Sequence, residues 1–588
     1  MRRNAWLMMM LCVTMTALAR LGKGQLSPDG RLRLEVKDTT YALYCEGRLA
    51  VEIAALPTGR PTFVRHLKED YTMLAGKRLH CTNEANEYEV RLDDARLVFR
   101  LYNDGLAFRY EDASRLTPEE RPSGTYIIPD GTRRWLMKWT DSYEGFFPLT
   151  TQAQDGRWGY PALTEPVDGL FALLTEANIE RGQSASCLYS EGERYHIVPA
   201  DTIVMTNTPW QVAIVGALNS VVESTLVTDV SASCALADTS WIKPGVVSWI
   251  YWAHNHGSND YNIIKQYVDM AVTLQLPYVL IDAEWDEMKD GKTIEDAVSY
   301  ANARGVKPLI WYNSSVGWVN GAPGPKFRLN KPEDREREFA WCERIGVAGV
   351  KIDFFSGDSQ ANMDYCIDLL ECAARHHLLI YFHGATIPRG WQRTYPNLLT
   401  TEGVYGAEWY NNVPTFTARA ARHNATLPFT RNVVGPMDYT PCTFSDSQHP
   451  HITTHAHELA LTVLFESGLQ HLADRPESYL AQPAAVQRFF SELPVAWDDT
   501  RLLSGSPGES VVMARRSGMR WYVAGINGTD EVQMLNIPAD RLPSNLRVST
   551  AYYDTPRQSQ QWDIRTNVDM PATVVCEPRG GFVLVLDI

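Results

Sequence analysis

The 588-residue sequence predicts a multidomain α/β and β protein: a large β-sandwich, then an eight-stranded β/α barrel, then a small closing β-sandwich. Three observations predict it. Up to about residue 235 the chain reads as short strands with almost no helical period. Beyond Lys243-Pro244-Gly245 strands alternate with helices of ten to fifteen residues, and after about residue 498 only strands return. So long a chain also exceeds what one hydrophobic core usually supports.

In order, residues 1–19 read as a secretory signal. Arg2 and Arg3 precede an apolar run from Ala5 to Val13, and Ala17-Leu18-Ala19 is a small-residue cleavage site. The run is well short of the ~20 residues that span a bilayer, and no other stretch qualifies. The mature chain is therefore expected in the periplasm or outside the cell. Residues 20–242 form the first unit, where RLRLEVKD, YALYCEG, EYEVRLDD, RLVFRLYND, GLAFRYED, DGLFALLTE and PWQVAIVGAL are apolar or alternating runs between turn residues.

Residues 243–498 are the barrel. VVSWIYW precedes the helical DYNIIKQYVDMAVTLQ, PYVLIDAEW precedes IEDAVSYANARG, KPLIWYN precedes KPEDREREFAWCERIG, and GVKIDFF precedes DSQANMDYCIDLLECAARHH. Such alternation calls for a parallel sheet with right-handed crossovers. LLIYFHG, NLLTTEG, LPFTRNVVG and GLQHLAD bring the strands to eight. An open doubly wound sheet is the alternative, but no Gly-rich phosphate fingerprint follows the first strand. Residues 499–588 return to strands, with Arg516-Ser517-Gly518 and Asn527-Gly528 as hairpin turns.

Composition narrows the function. The formal charge is −15, or −17 without the first nineteen residues, and no basic cluster interrupts it, which argues against a nucleic-acid partner. The 17 Trp and 27 Tyr offer flat faces on which sugar rings stack, as do many other ligands. Ten cysteines lack any CxxC pair, so buried free thiols are expected rather than a zinc cluster or a disulfide scaffold. The sequence does not set the oligomeric state, and a monomer is the expectation.

Strands of a parallel barrel are buried on both faces, so polar residues gather where they emerge. The predicted rim carries Asp282 and Glu284, Asn313, Asp353, His383, Glu402 and Glu408, Asp438, and Asp474. Each acid alone also has a structural reading: Asp353 tied to Lys351, Glu402 capping a loop, Glu408 on an exposed turn, and Asp282, Asp438 and Asp474 bracing the fold. Together, paired carboxylates among Trp and Tyr fit glycoside hydrolysis, in which one acid protonates the leaving oxygen and the other attacks the anomeric carbon or activates water. Lys351 lies two residues from Asp353, on the same strand face, and is expected to pair with it rather than form a Schiff base. His455 and His457 sit at i, i+2 of a predicted helix, a poor geometry for one metal.

The runs GVKIDFFSGDSQ, HGATIPRGWQRTYPNLLTTEGVYGAEW and LPFTRNVVGPMDYTP resemble glycoside hydrolase family 97, as do SPDGRLRLEV, TPWQVAIVG and WDDTRLLSGSPGESVVMARRSGMRWYVAGING. The resemblance implies an N-terminal β-super-sandwich, a (β/α)8 barrel and a C-terminal β-domain. Inverting α-glucosidases of the family carry a glutamate base just after the histidine of the fifth strand, where this chain has His383-Gly384-Ala385. Retaining α-galactosidases carry an aspartate nucleophile ending strand four, which matches Asp353. The resemblance thus implies a retaining exo-α-galactosidase acting on glycosides or oligosaccharides, with Asp353 as nucleophile and Glu408 as acid/base. It also implies active-site Ca2+ held by Glu176, Glu402 and Glu408. Glu284 stands where the family usually has glycine, which leaves a β-L-arabinopyranosidase of the same mechanism open beside the inverting α-glucosidase.

Overall fold

The computed structural model describes residues 24–446 and 449–587; the expected signal at 1–19 lies outside them. From Gln25 to Gly216, sixteen strands form one continuous antiparallel sheet. Its strands alternate inward apolar and outward polar side chains, as in Leu32–Lys37, where Leu32 and Leu34 are buried. The sheet folds over on itself: Tyr41 packs on Phe99 with ring centroids 4.8 Å apart, although their strands are not neighbours. Leu170–Ala177 and Trp210–Gly216 pair near its middle and are buried throughout.

The barrel strands are β1 (Gly245–Trp249), β2 (Tyr278–Ile281), β3 (Lys307–Asn313), β4 (Gly349–Asp353), β5 (Leu379–Phe382), β6 (Leu398–Thr401) and β7 (Leu469–Leu472). They pair in parallel in the order β6-β5-β4-β3-β2-β1-β7. The helices between them follow the expected spans, and their ends have visible causes. Asp260 caps α1 (Tyr261–Thr273), a capping box at Thr293 opens α2 (Ile294–Asn302), Pro332 starts α3 (Pro332–Ile345), and Ser359 caps α4 (Gln360–Arg375).

One expected strand is absent. LPFTRNVVG forms two 3-10 turns, Leu427–Phe429 and Arg431–Val433, because the buried Arg431 guanidinium gathers the carbonyls of Thr401, Glu402, Gly403, Gly435 and Pro436 around itself. The gap between β6 and β7 is closed without a ladder, by Asp438 N donating to Thr401 O (3.0 Å) and Met437 N to Glu466 O (2.9 Å).

The C-terminal unit packs a six-stranded antiparallel sheet against a two-stranded one, Gln533–Asn536 with Thr573–Cys576. Ser517 pairs with Arg520 across a tight turn at Gly518, as expected. Asn527-Gly528 is not a hairpin: it leads into the small sheet, and the Asn527 carboxamide oxygen accepts from Thr529 N (2.9 Å) instead. Among the described residues all nine cysteines are free, and only Cys234 is exposed. No helix there is long and apolar enough to cross a membrane.

Candidate active site

Strand periodicity builds the floor of the site. Lys351 and Asp353 project from the same face of β4 into the barrel, where Trp249 of β1, Asp282 after β2 and Trp311 of β3 meet them. Both Asp353 oxygens are held: Oδ1 accepts from Phe354 N (2.8 Å), and Oδ2 from Trp311 Nε1 (3.1 Å). Lys351 Nζ lies 3.2 Å from Asp282 Oδ2 and 4.0 Å from Asp353 Oδ2, so its closer partner is Asp282 rather than the expected Asp353. Burial disfavours the Lys351 charge, but Asp282, Asp353 and Glu408 outweigh it and hold the ammonium protonated. Asp282 also accepts from Trp249 Nε1 (2.7 Å).

One wall is acidic. His383 after β5 sits between carboxylates, with Nδ1 3.1 Å from Glu402 Oε2 and Nε2 3.3 Å from Asp438 Oδ2. Asp438 continues to His471 Nδ1 at 2.9 Å. Glu402 Oε2 accepts from Gly384 N (2.6 Å), whereas Oε1 is buried with no hydrogen-bond partner. Ligand atoms of His383, Glu402 and Glu408 all lie within 4.8 Å of one another. Burial pushes the Glu402 and Glu408 carboxyls above the usual range, and neighbouring acids add to the shift.

A further acid arrives from the N-terminal unit. Glu144, in the loop after strand Arg133–Lys138, enters the cleft and accepts from Trp409 Nε1 at 2.6 Å. Burial first, then the Glu408 charge, raises its carboxyl to about 7. Sequence reasoning passed over Glu144. A loop acid has no period to mark it, and the only available signal was its setting among Trp139, Tyr143 and Phe146.

Glu176, by contrast, is outside the cleft. It lies on strand Leu170–Ala177, where its carboxylate takes hydrogen bonds from Ser186 N (2.8 Å), Ser186 Oγ (2.5 Å) and Arg389 Nε (2.6 Å). Those bonds commit both its oxygens, and it is withdrawn as a metal ligand. Asp474 accepts from Phe444 N, Ser445 N and Ser478 Oγ and braces a loop. His455 and His457 are buried apart from any metal-ligating cluster among the described residues.

The structure therefore brings Asp353, Glu402 and Glu408 together, adds Glu144, and leaves Glu176 out. They line a cleft of about 860 Å³ together with Tyr251, Trp318 and Trp409.

This three-unit architecture with an acidic barrel mouth matches known proteins along nearly its whole length. Residues 26–232 match the profile of the glycosyl-hydrolase 97 N-terminal domain, 241–404 that of glycoside hydrolase 97, and 496–587 that of the glycosyl-hydrolase 97 C-terminal, oligomerisation domain. A probable retaining α-galactosidase of Streptomyces bingchenggensis is 38% identical over 450 residues, covering 73% of this chain and 67% of that protein. The chain belongs to glycoside hydrolase family 97. A retaining α-galactosidase of Bacteroides thetaiotaomicron is 26% identical over 629 residues, 90% of each chain. The crystal structure of a β-arabinopyranosidase superposes with a TM-score of 0.85 at 26% identity, over 96% of this chain and 99% of the other. Membership of family 97 makes the protein a glycoside hydrolase. The third profile's description, oligomerisation, gives no support to the monomer expected from the sequence.

Proposed function

We propose that the protein is a secreted or periplasmic, calcium-dependent, exo-acting α-galactosidase that retains anomeric configuration through a glycosyl ester on Asp353. The pairing of Asp353 with Gly384 carries this reading. Gly384 has φ +48°, and a Cβ there would stand 2.9 Å from Asp353 Oδ1 and 3.0 Å from Phe354 N. A side chain at 384 would crowd the nucleophile and strain a left-handed backbone, so this backbone suits a carboxylate at Asp353 and none at 384.

In the reaction an Asp353 carboxylate oxygen attacks the anomeric carbon as the bond to the leaving oxygen breaks, and that oxygen takes the proton of Glu408. Glu408 is then a base: it removes a proton from water, whose oxygen attacks the same carbon, and the ester bond to Asp353 breaks. Burial raises the Glu408 carboxyl, a shift in the direction a proton donor needs. Trp311 and Phe354 N hold the nucleophile in place, and Lys351 balances its charge.

The donors fit calcium. Glu402 presents an orphaned buried oxygen, and Glu408 and Glu144 supply further carboxylates beside His383, so the donor set is mainly oxygen. Bound there, the ion would offset the mutual repulsion of these acids and polarise a sugar hydroxyl.

Glu284 favours a second reading, a β-L-arabinopyranosidase of the same mechanism. It stands where family members usually have glycine, keeps a glycine-like φ of +71°, and lines the cleft with its carboxylate 2.7 Å from His256 Nδ1. β-L-Arabinopyranose matches galactose without the C6 group, and a carboxylate in place of glycine reduces the room for such a group. Turnover of aryl α-galactoside against aryl β-L-arabinopyranoside decides between the two. For either substrate, Asp353→Ala should abolish hydrolysis, and azide should restore release of the aryl leaving group by attacking the anomeric carbon itself, giving a glycosyl azide of inverted configuration. Full activity in the variant would sink the proposal.

A further inference from the structure

Above the acidic floor, one aromatic side chain stands with its ring in solvent. Trp318, in the loop between β3 and α3, is 53% exposed yet lines the cleft. A lone exposed tryptophan is ordinary on a protein surface. This one is fixed. Its indole Nε1 donates to Asn320 O at 2.7 Å, its carbonyl accepts from Asn313 Nδ2 at 3.1 Å, and its ring meets the edge of Phe354 with centroids 4.9 Å apart.

The loop is fastened to the nucleophile strand by four hydrogen bonds or close approaches. Ser314 N donates to Asp353 O (2.8 Å), while Ser314 Oγ and Gly317 N donate to Phe354 O (2.7 and 3.0 Å). Gly317 lies so close that a Cβ there would come within 2.3 Å of Phe354 O. Ser315 and Phe327 both adopt left-handed φ, 63° and 59°, to shape it. Lys326 Nζ closes its far side by donating to Ala322 O (2.8 Å) and Val319 O (3.3 Å). The indole is thus held at a set position relative to Asp353, with its polar N–H already used and about half of the residue left exposed.

Resting on the exo-glycosidase reading above, we infer that Trp318 is the stacking platform for the leaving-group sugar, and that the substrate is an oligosaccharide whose penultimate ring lies on it. The glycone must reach Asp353, Lys351 and Asp282 at the closed end of the cleft, so the unit it is bonded to points to the mouth, where Trp318 stands. A volume of about 860 Å³ is at the upper end of the ~300–1,000 Å³ range of drug-sized ligand sites, more than one pyranose ring needs. The C–H face of a pyranose is apolar and matches the negative face of an indole. Binding energy from that remote ring is available to lower the barrier at the anomeric carbon.

The test compares two substrates with the same glycone, a glycosyl fluoride, whose leaving group is one atom, and a glycosyl disaccharide. The glycone is galactose or L-arabinopyranose, whichever wild type turns over. Trp318→Ala should lower kcat/KM on the disaccharide about tenfold, within the range a hydrophobic contact discriminates, and leave the fluoride within about twofold. Trp318→Tyr should recover most of the disaccharide activity. Parallel loss on both substrates would overturn the inference, since the ring would then act only by bracing Phe354 and Asp353. So would no loss on either. Failure of wild type on both fluorides would instead overturn the galactosidase and arabinopyranosidase readings, and the platform with them.

Discussion

Phe354, Glu284, Tyr143 and Arg389 have φ of 65°, 71°, 57° and 45°, and all four line or brace the cleft. A left-handed conformation costs an ordinary residue on the order of 1–2 kcal/mol, and such strain collects where surrounding structure imposes it for function. Away from the cleft, burial makes His457 sensitive to pH. Its Nε2 accepts from Asn424 Nδ2 (3.0 Å) and its Nδ1 donates to Gly580 O (3.2 Å), so it links the barrel to the C-terminal unit as a neutral ring. Burial lowers its pKa to about 3, against roughly 6.5 in an unfolded chain. Its neutral form therefore leaves stability intact above about pH 6.5, and stability is lost as pH falls towards about 3, because only the unfolded state takes up the proton. His457→Gln removes that titration. Its destabilisation relative to wild type, measured by denaturant unfolding, should shrink by about 2–3 kcal/mol between pH 7.5 and 4.5. A pH-independent difference would show that His457 does not titrate in this way.

Which residues were legible in the sequence depends on the element that carries them. Asp353 and Glu402 close apolar strands or follow them directly, so the switch from apolar to acidic marks the barrel rim. Glu176 looked similar in LLTEANI, but its strand is buried throughout, and its counter-charge, Arg389, lies more than two hundred residues away. The seventh stave was misread because VV and LPF look like a strand, while three of the five carbonyls that Arg431 collects come from the end of β6, about thirty residues away. The loop bearing Glu144 is held by similar distant bonds. Asp358 after β4 accepts from Trp139 Nε1 (2.9 Å) and Tyr143 OH (2.6 Å), and Arg389 donates to Tyr143 OH (2.6 Å) while pairing with Glu176. So Glu176 acts at one remove, bracing the loop that delivers the acid. If Glu144 helps to hold calcium, Glu144→Gln should need about tenfold more calcium for thermal stabilisation and activity, since affinity follows the number of charged ligands. A calcium titration identical to wild type would remove Glu144 from the site, and a chelator without effect on wild type would remove the metal.

Across the whole molecule the three units share one hydrophobic core, which runs from Leu32 through the barrel to Val585, with a smaller second core inside the C-terminal sandwich. The cleft is built where two units meet: the barrel supplies Asp353, Glu402 and Glu408, and the N-terminal sandwich supplies Glu144. Ligand sites favour such junctions. The order of strands and helices along the chain made the three units legible, whereas the contacts between units were not, because they join residues with no shared period. The central claim is that this junction presents a carboxylate nucleophile at Asp353 and no base at Gly384. Proton NMR of aryl α-galactoside hydrolysis at the earliest times tests it most directly, with aryl β-L-arabinopyranoside run alongside. Retention predicts that α-galactose, or β-L-arabinopyranose, appears first and mutarotates later; the opposite anomer first would mean that water rather than Asp353 attacks the anomeric carbon, and would contradict the account.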